Sequence, residues 1–107
     1  MPYVLRFTDD AREMLQRLAA GPKADPVRLK KTRKALALLQ TDPRYPGLHS
    51  HQYESFPGHS DQKVWDSYVE NHTPGAWRIY WTCGPDEKDD QGQAVQVITV
   101  LVIGPHL

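Results

Sequence analysis

The fold turns on "KVWDSYVENHTPGAWRIYWTC", residues 63–83. Two aromatic-rich runs flank a turn that contains Pro74 and Gly75, so "KVWDSYV" (63–69) and "AWRIYWTC" (76–83) read as an antiparallel pair of strands. Strand side chains alternate between faces. Trp77, Ile79 and Trp81 therefore point one way, and Ala76, Arg78, Tyr80 and Thr82 the other. If the first set packs beneath a second layer, Arg78 and Tyr80 stand on the opposite, open face. A guanidinium beside an aromatic hydroxyl suits bidentate recognition of a phosphate. The plainer role for Arg78 is an ion pair with Asp66 or Glu70 across the hairpin.

Working back towards residue 1, "YVLRF" (3–7) reads as a short strand, and Thr8 as the N-cap of a helix over 9–20. Asp9 and Asp10 fall in its first turn, where the helix dipole favours acids. Ala11, Met14, Leu15 and Leu18 recur at helical spacing on one face, and Gly21-Pro22 stops the helix. In "ADPVRLKKTRKALALLQTDP", Asp25 is the expected cap, with Pro26 at the first helical position, where a missing N–H costs nothing. Leu29, Thr32, Leu36 and Leu39 form the expected buried stripe. Lys30, Lys31, Arg33 and Lys34 face away from it, and Pro43 ends the helix. "RYPGLHSHQYESFPGHSDQ" is a connection with room for a short strand near 49–55. "GPDEKDDQGQ" reads as an acidic hairpin loop, and "AVQVITVLVIG" (94–104) as the last strand. The expected fold class is α+β: an N-terminal strand, a two-helix hairpin, then a twisted antiparallel sheet of three to four strands, all in one domain over 1–107.

Hydrophobic residues make up 39% and charged residues 24%, which fits an ordinary globular chain and excludes disorder or a fibrous repeat. The longest apolar run, "VITVLVIG", is far too short to span a bilayer, so no membrane partner is expected. "MPYVLRF" has no secretory pattern, and Cys83, the sole cysteine, cannot form an internal disulfide; both point to the cytoplasm. The net charge of zero hides an asymmetry. Residues 1–46 carry ten Lys/Arg against five acids, and residues 47–107 carry three against eight. A basic first half implies an anionic partner, an acidic protein partner, or simply a solvated helix face. His49, His51, His59, His72 and His106 raise the question of a metal, yet no H-E-x-x-H or C-x-x-C spacing is present, and neither metal nor cofactor is expected.

The opening strand, the two helices ending in "LLQTDPRYPGLHSHQYE", then "KVWDSYV", "WRIYW" and a last strand ending "VLVIGPHL" together resemble the RelE/ParE superfamily of toxin–antitoxin toxins. Within it the likeness is to the RelE-, YoeB- and HigB-type messenger-RNA interferases. The resemblance implies a ribosome-dependent endoribonuclease. It implies a cognate antitoxin as partner, the ribosome and messenger RNA as targets, and a homodimer or a heterotetramer with the antitoxin. On it, Arg78 falls where the family's arginine contacts the scissile phosphate, and His106 where a residue near the end of the last strand acts as general acid. No acid stands near Pro46, where a YoeB-type base would fall. Glu54 is the nearest substitute, and Tyr80 is the other candidate base. Lys30, Lys31, Arg33 and Lys34 are the expected contacts to RNA phosphates, with Lys63 added from the strand that corresponds to a lysine-bearing one in RelE. Trp65, Tyr68 or Tyr80 would stack a base, or simply pack. The same fold without catalysis, either a protein-binding module or a ParE-like gyrase inhibitor, is the alternative.

Metal-free RNA cleavage needs a base for the 2′-OH, a cation for the charge on the phosphorane, and an acid for the departing 5′-oxygen. Arg78 supplies a permanent cation and His106 a proton carrier suited to neutral pH. Cys83, with no His or Asp motif around it, is not expected to be a nucleophile.

Overall fold

The computed structural model describes residues 2–54, 56–58, 62–71 and 75–107. Strand β1 (Val4–Phe7) leads into helices α1 (Asp9–Ala19) and α2 (Pro26–Thr41). After a single 3-10 turn (Pro46–Leu48) come β2 (His51–Gln52), β3 (Trp65–Tyr68), β4 (Trp77–Cys83), β5 (Glu87–Lys88), β6 (Ala94–Val95) and β7 (Val97–Pro105). The α+β class expected from the sequence is present. Five strands pair in the order β1-β7-β4-β3-β2. The four that follow the helices are mutually antiparallel, and β1 joins the edge parallel to β7, which makes the sheet mixed. The segment read as a loop holds the short strand β5, which pairs with β6, and the single strand expected over 94–104 is divided at Gln96 between that small ribbon and the main sheet.

Both helices start where their caps dictate. The Ala11 N–H donates to Thr8 Oγ1 at 3.2 Å, and the Thr8 hydroxyl donates to the Leu101 carbonyl at 2.6 Å, which ties the start of α1 to β7. The Arg28 N–H donates to Asp25 Oδ1 at 3.1 Å, with Pro26 in the first turn of α2. Gly21, at φ 93°, takes the left-handed turn that ends α1 and that a side chain would resist. Of the stripe expected on α2, Thr32, Leu36 and Leu39 are buried together with Ala35, while Leu29 is only half-buried.

The helices cover one sheet face, where Ala11, Leu36, Leu39, Leu48, Ile79, Trp81, Ile98, Val100 and Ile103 form the main core. The buried Trp81 indole N–H donates to Ser67 Oγ at 2.8 Å. On the other face a smaller cluster joins Val64, Tyr80 and Leu101, with Tyr53, Phe56 and Val102 packed against it. A register shift makes the two-sided core compatible with a continuous apolar strand. Tyr80 pairs with Val102 and Trp81 with Val100, so Leu101 is the extra residue of a bulge. Leu101 and Val102 therefore both join the second cluster, while Val100 and Ile103 feed the first.

Candidate functional site

The second sheet face carries the chemistry. Asp66 on β3 lies opposite Tyr80 on β4 and His51 on β2, and Tyr68 lies opposite Arg78, which in turn pairs with Gly104 on β7. His106 follows directly after β7, held by its backbone N–H donating to the Ala76 carbonyl at 3.0 Å. Three cationic or ionisable groups close on one carboxylate. His51 Nε2 is 3.4 Å and His106 Nε2 3.6 Å from Asp66 Oδ2, and Arg78 Nε is 3.4 Å from Asp66 Oδ1. Asp66 is 0% exposed, Arg78 12%, and the two imidazoles 50% and 45%.

None of these approaches is a well-aligned hydrogen bond: both Asp66 oxygens and Arg78 Nε lack such a partner among the described residues. A buried carboxylate in that state is expensive. Burial accordingly pushes the Asp66 carboxyl above its ordinary range, opposed by the charges of His51, Arg78 and His106. The arrangement is a collar of one guanidinium and two imidazoles around an under-satisfied acid. It suits a group that must exchange protons or partners more than one that only ties strands together.

The collar is held from outside. Arg78 Nη1 donates to the Glu70 carbonyl at 2.8 Å, and its guanidinium carbon lies 3.7 Å from the centroid of the Tyr68 ring. The Glu70 carboxylate is used elsewhere, accepting from Arg28 and from the Trp77 backbone N–H. Thus the ion pair weighed for Arg78 forms with the Asp66 carboxylate, while Glu70 offers it only a carbonyl. His51 is oriented by its own chain, with Nδ1 2.8 Å from the His49 carbonyl. A carbonyl only accepts, so Nδ1 carries a proton there, and Nε2 is the nitrogen left to give or take one. Gly104 spends no side chain opposite Arg78, and the space a Cβ would occupy there is open.

Arg78 and His106, paired by resemblance, are thus brought to the same carboxylate. The other residues are placed differently. Tyr80 is fully buried, its oxygen accepts the Leu107 backbone N–H at 2.8 Å, and burial pushes its hydroxyl up; these features suit a structural post and not a base. Glu54 sits on an exposed turn and makes no bond to the Asp66 cluster among the described residues. Lys63 is exposed just before β3. Lys30, Lys31, Arg33 and Lys34 are exposed along α2, and of these Lys31 and Lys34 border a groove against the end of β3. Trp65 packs with the helix-side core, its ring stacked on Trp81 at 5.9 Å. Cys83 is exposed at its strand end, and partial desolvation and Asp86 push its thiol up, away from a reactive thiolate.

Sequence reasoning weighed Asp66 only as an ion-pair partner of Arg78 and His51 only in the metal question it set aside, so neither was named as a site residue. Among the described residues no group of three or more His, Cys, Asp or Glu side chains is disposed to hold a metal ion; His59 and His72, also weighed for that role, lie outside those residues. Among the described residues, too, no helix is long and apolar enough to cross a membrane. Comparisons with protein-family models, with curated proteins and with solved structures each returned no match.

Proposed function

We propose that this chain is a RelE/ParE-type toxin that cuts messenger RNA on the ribosome, without a metal, by attack of a ribose 2′-OH on the adjacent phosphate. One observation carries the reading: two half-exposed imidazoles and a guanidinium converge on one buried carboxylate. The order of strand, two helices and antiparallel strands, with one face covered by helices, supports it.

With the scissile phosphate between the two imidazoles, His51 takes the 2′-OH proton at Nε2. The 2′-oxygen then attacks phosphorus. His106, protonated at the outset, gives its proton to the leaving 5′-oxygen. The products are a 2′,3′-cyclic phosphate and a 5′-hydroxyl, and the two imidazoles exchange protonation states over the turnover. The His49 carbonyl orients the His51 ring at Nδ1, and Asp66 stands beside the His106 Nε2 as its counter-charge. Arg78 keeps that carboxylate compatible with burial and adds fixed positive charge as the phosphorane forms. The basic face of α2 then serves ribosomal RNA or an acidic antitoxin segment.

Induction in a bacterial host tests the reading. Translation and growth are expected to stop, and His51→Ala or His106→Ala to restore both. Unimpaired growth with the unaltered protein accumulating in soluble form overturns it, as does arrest that survives both substitutions. DNA-damage signalling without translation arrest reassigns the chain to the gyrase-inhibiting branch.

A further inference from the structure

Strand β2 pairs with Trp65 and Asp66, so among the described residues the edge of β3 is left without a strand partner on that side at Ser67 and Tyr68. A groove of 540 Å³ fills that gap between β3 and α2. Its floor is apolar, from Leu38 and Leu48; Lys31 and Lys34 line its α2 side; Tyr45 and Tyr68 add two aromatic rings. The lysines stand at i and i+3, where side chains on a helix are neighbours. Glu70 also lines the groove, but its carboxylate is committed to Arg28 and the Trp77 backbone, so the lysines keep their charge for a ligand.

Two details give the groove a direction. Tyr45 is a large apolar side chain left 44% exposed, and its ring lies over Gly47, where a Cβ would come within 2.8 Å of it. The glycine thus lets the ring settle on the 3-10 turn at the groove wall. Tyr68 belongs to both places: it lines the groove, and its ring also covers the Arg78 guanidinium and lies 4.9 Å from the His49 ring. A chain that occupies the groove therefore continues directly into the Asp66 collar.

We infer that this groove is a subsite for the single-stranded RNA flanking the cut, with a base stacked on Tyr45 and its phosphates held by Lys31 and Lys34. The inference rests on the ribonuclease reading for the identity of the strand. Aromatic stacking plus paired ammonium groups matches a nucleotide, because every base has a π-face and every link a negative charge. Backbone neutralisation by lysine carries no sequence information, so the subsite adds affinity and register without base preference.

The probe is a mixed-sequence 2′-O-methyl RNA hexamer, which lacks the attacking hydroxyl and cannot be cut by the proposed route. Binding is read by fluorescence anisotropy across a salt series. Tyr45→Ala is expected to weaken binding about tenfold, and Tyr45→Trp to preserve it. The Lys31→Ala/Lys34→Ala double variant is expected to reduce the slope of log affinity against log salt by about 1.4, since each phosphate contact on a single strand contributes roughly 0.7. All three side chains are at the surface, and unchanged melting temperatures confirm intact folds. Hexamer binding that ignores all of these substitutions overturns the inference. So does a poly-glutamate peptide that binds with the lysine dependence while the hexamer does not. Hexamer binding with the expected dependence, in a protein that cuts no RNA, sustains the subsite and refutes the ribonuclease reading. Cleavage of natural RNA that is indifferent to the substitutions does the reverse.

Discussion

Replacing Arg78 by methionine keeps aliphatic bulk against Tyr68 and removes the one permanent cation beside Asp66. The carboxylate stays fully buried, with neither oxygen hydrogen-bonded among the described residues. Removing one partner of a buried pair leaves an uncompensated charge and destabilises by about 3–5 kcal/mol. Two imidazoles still face Asp66, so the low end, about 3 kcal/mol, is expected near pH 8. For a domain near this size, each kcal/mol is about 4–8 °C in Tm, so a fall on the order of 12–24 °C follows. The pH dependence has a definite sign. Burial already holds the folded carboxyl above its unfolded value, and Arg78 opposes that rise. The folded state therefore binds the Asp66 proton more tightly than the unfolded state does, and stability falls as pH climbs from the unfolded pKa through the folded one. Without Arg78 the folded pKa rises further, so the gap between variant and parent widens with pH and narrows in acid. Thermal unfolding followed by circular dichroism at about pH 4.5 and about pH 8 measures both gaps. Asp66→Asn added to Arg78→Met should recover most of the loss at the higher pH. A gap that is the same at both values, or no loss at about pH 8, would refute the placement of an under-compensated charge at Asp66.

Ser67→Ala should lower stability by about 1–3 kcal/mol, measured by urea unfolding, because the buried Trp81 indole N–H loses its acceptor. Gly104→Val should leave Tm close to that of the parent, since Gly104 lies in ordinary strand backbone with open space before it. The same variant should slow RNA cleavage on the order of a hundredfold, because its side chain stands beside Arg78 and shifts the guanidinium. An active Gly104→Val protein would move the substrate elsewhere.

How much was legible varies with the range of the interaction. Caps and periodicity are local, so Thr8, Asp25 and the alternation in "AWRIYWTC" located both helices and both faces of β4. The parallel docking of β1 on β7 and the bulge at Leu101 depend on pairing between distant segments, and neither leaves a local signal. The site divides in the same way. Arg78 could be placed on the open face from alternation within one strand. Asp66 has the same parity on β3 as Tyr68, and the pairing of β3 with β4 sets it opposite Tyr80, so it was within reach of the same reasoning. His51 was not, because its register against Asp66 is set across the connection between β2 and β3. Glu54 has the chemistry of a base but falls on an exposed turn beyond β2, a position that composition and spacing do not reveal.

The decisive measurement is the chemistry of the cut ends. The purified protein, given messenger RNA on translating ribosomes, should produce 5′ fragments ending in a 2′,3′-cyclic phosphate. A single 2′-deoxy substitution at the cleaved position should abolish the cut, and His51→Ala and His106→Ala should each slow it on the order of a hundredfold or more. Intact messenger RNA, cleavage that persists without the 2′-hydroxyl, or full activity in both histidine variants would contradict the proton-transfer pair assembled around Asp66.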